Sequence, residues 1–310
     1  MKSKSILKFL MIFAVVLSIP LLVGWGWNKP ITNPEVAISD VDGRMYVIDI
    51  NNRMKRVKMK NDAFDATISP NGAKIAYNNR GLWVCNIDGT GQKLVSKKGG
   101  LPIAWSPSGK EIAFETRDDT GGGIWLVEIS GKNIKFLIDA ELLGWVDSKI
   151  VACGRGSKTY LLDIDTLNTK KIIARDYSSE PSLSYSGDKI IYLKRIGKRK
   201  LRKGGRLYST IKNIYVSGIY GRNKKLLAKE KPNMEPRSRI FTFENLKWGR
   251  SGKKIFYNAQ PLVFESGQYM CDRRLYFVFR SSYYFLMYIE INDNNEFVKK
   301  TILRKVRYLY

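Results

Sequence analysis

The chain has 310 residues, of which 44% are hydrophobic and 12% aromatic, a composition that can bury a sizeable core and excludes a wholly disordered protein. Its 54 Lys and Arg outnumber its 28 Asp and Glu, and the formal charge of +26 predicts attraction to anionic surfaces or polymers, weakened by salt. Histidine is absent, which excludes the usual general base, the imidazole metal ligand and every Ser-His-Asp or Cys-His arrangement.

The N-terminus has the pattern of a membrane-targeting segment. Three lysines precede an apolar run of 19 residues at positions 9–27, and no acidic residue occurs before Glu35. A helix of that length spans about 28 Å, close to the thickness of a bilayer's hydrocarbon core. We therefore predict a signal anchor or signal peptide at residues 1–27, a short linker at 28–34 and a folded domain at 35–310.

Two outcomes are open for the N-terminal helix. If it is retained, it anchors the domain by a single pass on the extracytoplasmic side of the cell membrane, because its lysines stay cytoplasmic. If it is cleaved, the domain is secreted or periplasmic, although small residues are poorly placed for a cleavage site. Both outcomes place the domain outside the cytoplasm.

A repeat of about forty residues follows. Two copies align clearly, at residues 67–95 and 104–137, and their turn prolines Pro70 and Pro107 are 37 positions apart. In each copy a first strand ends at Ser-Pro-x-Gly, a second carries Ile-Ala and an aromatic residue, a third carries Trp, and a fourth begins with Lys. Proline fixes one φ of the turn and glycine supplies its φ > 0 position. Four antiparallel strands per unit, repeated radially, predict a β-propeller.

Weaker copies complete the ring. They begin near Gly144, Ser184 and Lys247, and the last two carry insertions. The unit at residues 35–57 lacks a first strand, whereas residues 305–310 are left over at the far end. We therefore predict an all-β, six-bladed β-propeller closed by a C-terminal strand, preceded by one N-terminal membrane-targeting helix. One chain completes this ring, so we expect a monomer.

These repeats resemble those of the TolB type, a WD40-like family of exported propellers. The resemblance covers about residues 36–310 as architecture and is specific in the two units at 67–137. In the other units the Ser-Pro-x-Gly turn is incomplete. Neither Pro nor Gly follows Val146, Ser186-Gly187 has no proline, and Arg250 occupies the position of the proline in the last unit. The resemblance implies the propeller and a binding role, not the partners of TolB.

The insertions are expected on one face, because the loop from the second to the third strand and the loop to the next blade open on the same side. The insertion at residues 194–212 has nine basic residues in nineteen positions and no acid. We interpret it as an anion-binding arm, and a solvated or disordered loop is the alternative. The predicted binding residues of this basic arm are Lys198, Arg199, Lys200, Arg202, Lys203 and Arg206.

A second insertion, at residues 259–282, and the strand after it are rich in aromatic residues. Tyr269, Tyr276, Tyr283 and Tyr284 are predicted to stack on sugar rings or to contact a bilayer interface. The alternative for this segment is an extended hairpin packed on its own blade.

Motifs for catalysis and metal binding are missing from the sequence. No GxSxG, HExxH or P-loop pattern occurs, and Cys85, Cys153 and Cys271 form no CxxC pair, so one disulfide or three buried thiols are both open. We predict no metal and no cofactor.

We therefore predict a non-catalytic binding or scaffold protein whose partner is an envelope protein or an anionic lipid or polymer, reached with the N-terminal helix in the membrane. The export signal argues against nucleic acid. The alternative function is a propeller enzyme acting on an acidic polysaccharide, which clustered Lys, Tyr and acid in the central channel would favour.

Overall fold

The computed structural model describes residues 31–39, 43–116, 122–155, 158–174, 179–200, 208–229, 240–262, 269–271, 274–276, 283–292 and 297–307. The predicted N-terminal helix at 1–27 lies outside these residues. Within them, no helix is long and apolar enough to cross a bilayer.

The described chain forms six antiparallel sheets arranged as the blades of a propeller, as predicted. Blade 1 consists of β1 (Pro34–Ser39), β2 (Met45–Asp49) and β3 (Met54–Arg56). Blade 2 consists of β4 (Phe64–Ile68), β5 (Lys74–Asn78), β6 (Leu82–Asn86) and β7 (Lys93–Ser96). Blade 3 consists of β8 (Ile103–Trp105), β9 (Glu111–Thr116), β10 (Gly123–Glu128) and β11 (Lys135–Ile138). Blade 4 consists of β12 (Glu141–Trp145), β13 (Ile150–Arg155), β14 (Lys158–Asp163) and β15 (Thr169–Ala174).

The last two blades contain the longest strands. Blade 5 consists of β16 (Ser179–Leu183), β17 (Lys189–Lys200), β18 (Tyr208–Gly218) and β19 (Lys225–Lys229). Blade 6 is built from β20 (Ile240–Trp248), β21 (Lys254–Leu262), β24 (Tyr283–Ile291) and β25 (Phe297–Arg307). Between β21 and β24 lies a separate hairpin of β22 (Tyr269–Cys271) and β23 (Arg274–Tyr276).

One hydrogen bond recurs in all six blades and establishes which strands are equivalent. An isoleucine N–H at the end of the third strand donates to the carbonyl just before the second strand, from Ile50 to Asn33 at 3.0 Å in blade 1 and from Ile291 to Lys253 at 2.9 Å in blade 6. The donors are Ile50, Ile87, Ile129, Ile164, Ile219 and Ile291. β1 takes the place of a second strand in this pattern, so the described residues place no strand at the innermost position of blade 1, as the sequence indicates.

The core lies between neighbouring blades, where branched side chains of facing sheets interlock. Between blades 5 and 6, for example, Ile191 and Ile214 pack with Ile255 and Ile289, all fully buried. The repeat turns have the expected backbone: Gly72 lies at φ +77°, a left-handed conformation that favours glycine.

The predicted closing strand is wrong. Residues 305–307 belong to β25, which pairs with β24 from Ile291 opposite Phe297 to Tyr283 opposite Arg307. The insertion in blade 6 lengthens β24 at its N-terminal end, so the C-terminal residues find partners in their own blade. No described strand pairs with the inner edge of β1, and Val36 and Ala37 of β1 line the central cavity themselves.

In the described residues, backbone and side-chain contacts of the turn at 249–254 join blade 6 to blade 1, and no strand is shared between them. The Arg250 N–H donates to the Glu35 carbonyl, and its Nε to the Pro34 carbonyl, both at 2.8 Å. Ser251 Oγ donates to the buried Glu35 carboxylate at 2.8 Å. The buried Lys254 donates to the Ile50 carbonyl at 2.5 Å. A buried charge is tolerated only when it is paired or hydrogen-bonded, so these contacts hold the seam in one arrangement.

Candidate binding surfaces

The propeller has two different faces. The strands of every described blade follow one another in chain order, so equivalent loops of all blades lie on the same side. On the short-turn face the first strand leads into the second and the third into the fourth, as at residues 69–73 and 86–92. On the insertion face the second strand leads into the third, and each blade connects to the next. The strand ends that carry the predicted insertions all lie on the insertion face.

The basic arm begins as an ordered extension of blade 5. β17 has 12 residues against 5 in β5, and it pairs with β18 from Lys189 opposite Gly218 to Lys200 opposite Tyr208. Leu193 is fully buried and Ile196 is 49% exposed, whereas Ile211, opposite Gly197, is still buried, so one face of the extended strands remains packed as far as this pair. We call residues 194–200 and 208–212 the basic hairpin.

The predicted binding residues of the arm fall into two groups. Lys198, Arg199 and Lys200 lie on β17, and the Lys198 side chain is exposed. Arg202, Lys203 and Arg206 lie outside the described residues. No observation tests whether either group binds an anion, so this remains a prediction.

The charged residues from the second to the fourth strand of blade 5 are all basic. Residues 189–229 contain fourteen Lys and Arg and no Asp or Glu. The strand register places Arg195 directly opposite Lys212, and like charges at facing positions destabilise a sheet.

The four predicted aromatic binding residues do not lie on one element. Tyr269 and Tyr276 face each other across the hairpin of β22 and β23. Tyr283 and Tyr284 begin β24, opposite Arg307 and Val306. Tyr269 and Tyr276 thus lie on a hairpin, as the alternative interpretation of this segment expected. The binding role of all four tyrosines stays a prediction.

A cavity of about 180 Å³ lies at the centre of the ring, lined by β1 and the first strands of the other blades. Three indoles there point to the carbonyls of the preceding blade: Trp105 Nε1 donates to Thr67 at 3.2 Å, Trp145 to Ala104 at 3.1 Å and Trp248 to Ser182 at 2.9 Å. Buried Trp N–H groups need such partners. The tryptophans of the repeat therefore hold the first strands in place.

Three polar residues that the sequence did not reveal, Asp65, Tyr185 and Lys247, line this cavity, and we call them the cavity cluster. Lys247 Nζ lies 2.9 Å from Asp65 Oδ1 and donates to the Ala66 carbonyl at 3.0 Å. Tyr185 Oη donates to the Ile68 carbonyl of the opposite blade at 2.9 Å, and burial raises the pKa of its phenol. A phenol with a raised pKa stays protonated at neutral pH, and one that already donates its proton to a carbonyl is poorly suited to act as a general base.

One signal for the cavity cluster was present in the sequence. Tyr185 occupies the position held by Pro70 in the intact turn, because Ser184 donates to Lys189 as Ser69 does to Lys74. The tyrosine at the proline position therefore indicates, in the sequence, the blade whose turn residue extends across the cavity.

The described part of the chain shows no cluster of metal-ligating side chains, since no group of three or more Cys, Asp or Glu lies close enough to hold an ion. Cys85 and Cys153 are both buried. Burial raises the pKa of Cys85 to about 12, which leaves its thiol protonated and unreactive at neutral pH. The side chain of Cys271 falls outside the description.

Comparison with known proteins gives matches in structure only. No family model and no curated protein matches the sequence. TolB from Acinetobacter baumannii aligns with a TM-score of 0.57 over 89% of this chain and 63% of its own, at 14% identity. A TolB-type protein from Agrobacterium tumefaciens gives 0.49 over 67% and 86%, at 17% identity. An oligogalacturonate lyase from Vibrio parahaemolyticus gives 0.44 over 74% and 88%, at 9% identity.

These likenesses concern the fold alone, because every identity lies below 25%. This chain spans less than two thirds of the Acinetobacter TolB chain. The described residues have the fold of a TolB-like six-bladed β-propeller.

Proposed function

We propose that this chain is a non-catalytic binding or scaffold protein that presents its insertion face to an anionic envelope partner outside the cytoplasm. The basic hairpin carries the proposal: a paired extension of a rigid blade, without an acidic residue, that keeps like charges opposite each other. The apolar run at residues 9–27 supports a membrane-anchored location, or a secreted one if it is cleaved.

The hairpin suits anion binding because its backbone is ordered before the partner arrives. Each Lys or Arg near an anionic surface contributes about 1 kcal/mol, and a preformed strand pair avoids the entropy loss of ordering a free loop. The lengthened strands of blade 6, which include Tyr283 and Tyr284, belong to the neighbouring blade and extend on the same face, which supports a shared binding surface.

A second candidate function rests on the cavity cluster. Lys247, Tyr185 and Asp65 all line the channel, and such a set supports an enzyme acting on an acidic polysaccharide, but the described contacts join only Lys247 to Asp65. Lys247 and Tyr185 also donate hydrogen bonds to carbonyls of blade 2, and burial raises the pKa of Tyr185. Cleavage of an acidic polysaccharide that is lost on Tyr185→Phe would favour the enzyme.

A salt titration of binding tests the proposal. The purified full chain is titrated with fluorescent inorganic polyphosphate, polyglutamate and anionic vesicles at rising salt. The hairpin variant carries Arg195→Thr, Lys198→Thr and Lys212→Thr, and the control carries Lys110→Thr, Lys132→Thr and Arg222→Thr on the short-turn face.

We expect binding that weakens with salt and falls about tenfold or more in the hairpin variant, because three interacting charges are lost. The control loses the same charge but should stay within about twofold of the parent, since its residues lie on the other face. Equal binding by both variants, or binding to none of the three probes, would contradict the proposed function.

A further inference from the structure

The chain enters the propeller on the short-turn face, and its first described residues are already held there. Ile31 packs against the core between blades 1 and 2. Arg53 donates to Thr32 Oγ1 at 2.8 Å, and Ile50 donates to the Asn33 carbonyl at 3.0 Å. Of the predicted linker at 28–34, only residues 28–30 precede these contacts.

From Trp27 to Ile31 the chain advances by four residues, which span at most about 14 Å even when fully extended. The apolar run ends at Trp27, so a bilayer that holds this run lies within that distance of residue 31. A tether of this length brings the short-turn face toward the bilayer surface and leaves little freedom for the propeller to turn over.

The basic hairpin extends in the opposite direction. Lys189 begins its second strand at the same point of the repeat as Pro34 begins β1, because Ile219 and Ile50 make the equivalent hydrogen bond. Lys198 lies nine positions further along β17, about 30 Å away at the rise of a β-strand. That distance is several times the Debye length of about 8 Å at physiological salt.

We infer that the basic hairpin binds a linear polyanion presented from the side facing away from the membrane, not the lipids of the bilayer that holds the N-terminal segment. This inference rests on the proposed function. It deepens that proposal by choosing among the anionic partners, because charges beyond a few Debye lengths contribute almost nothing to attraction.

The composition of the hairpin favours a polymer over a folded protein. Protein interfaces need apolar anchors in a dry centre, and Ile196 is the one large apolar side chain that the structure shows exposed on the basic hairpin. Basic residues instead recur along the strand at positions 194, 195, 198, 199 and 200. Lys198 and Lys200 occupy alternate positions about 7 Å apart, a spacing that suits successive phosphate or carboxylate groups of an extended chain.

The experiment places the full chain in nanodiscs of purely zwitterionic lipid or of a mixture with anionic lipid. Capture of fluorescent inorganic polyphosphate is measured for the parent and for the hairpin and short-turn-face variants described above. We expect equal affinity in both kinds of disc, and a loss of about tenfold or more in the hairpin variant only. A compact acidic protein supplied at the same charge concentration should compete weakly.

Each other outcome identifies what is wrong. Weaker capture in anionic discs would mean that the hairpin reaches its own bilayer, which overturns the inference and leaves the proposed function standing. Strong competition by the acidic protein would contradict the inferred polymer and indicate a protein partner instead. A chain that stays out of the discs would also overturn the inference, since the N-terminal segment would then hold no membrane at the short-turn face. Equal capture by both variants would overturn the proposed function itself.

Discussion

Tyr185 and Arg250 stand where the intact repeat has proline in the turn between the first and second strands. Proline offers no N–H donor, whereas both replacements donate hydrogen bonds to other blades. Tyr185 reaches the Ile68 carbonyl across the cavity at 2.9 Å, and Arg250 reaches the Pro34 carbonyl at 2.8 Å. Two of the three turns without proline thus join blades, and Arg250 does so beside blade 1, where the described residues provide no inner strand.

Arg250→Met should therefore lower the free energy of unfolding by about 1 to 3 kcal/mol, because the buried Pro34 carbonyl loses a charged donor. Chemical denaturation monitored by tryptophan fluorescence measures the loss. Arg222→Met, on an exposed turn of blade 5, is the matched control and should change stability by less than about 0.5 kcal/mol. Equal stability of the two variants would show that the Arg250 contacts do not support the seam.

At the scale of elements, the sequence predicted most of the strands but not all of their lengths. The motif spacing located the second strands of blades 2 and 3, because a continuous buried apolar run that ends in an aromatic residue, Tyr77 or Phe114, follows each Ser-Pro-x-Gly turn. The strand nature of residues 194–200 was hidden, since Lys and Arg have weak β-propensity and the pairing depends on the blade from which the strands extend.

The closing strand was mispredicted for a related reason. The leftover residues 305–310 were assigned by counting strands, whereas their pairing depends on how far β24 extends. Aromatic insertions do not reveal from sequence alone where a strand begins. The cavity cluster was missed because Asp65 and Lys247 come from blades far apart in the chain and meet only when the ring forms.

A chain ending at Leu303 tests the observed pairing of β25. It removes the partners of Tyr283, Tyr284 and Phe285, so amide hydrogen exchange should speed up at residues 283–286. Exchange at residues 34–39 should stay unchanged, because β25 does not pair with β1. Faster exchange in β1 with no change in β24 would instead restore the closing strand.

At the scale of the whole molecule, the order of the strands puts the N-terminal entry and the basic hairpin on opposite faces of the propeller. The short-turn face receives the chain from its N-terminal segment through contacts at Ile31, Thr32 and Asn33. The insertion face carries the basic hairpin, about 30 Å further along the strands. This arrangement suits a tethered propeller that reaches away from its anchor toward an anionic partner.

The most direct test of the proposed binding surface is the acylation rate of individual lysines, read by mass spectrometry with and without inorganic polyphosphate. We expect Lys194 and Lys198 of the basic hairpin to react much more slowly when polyphosphate is bound, whereas Lys110 and Lys132 on the short-turn face keep their rates. Protection of Lys247 in the central cavity, or of the short-turn lysines, without protection of the hairpin would contradict binding through the basic hairpin.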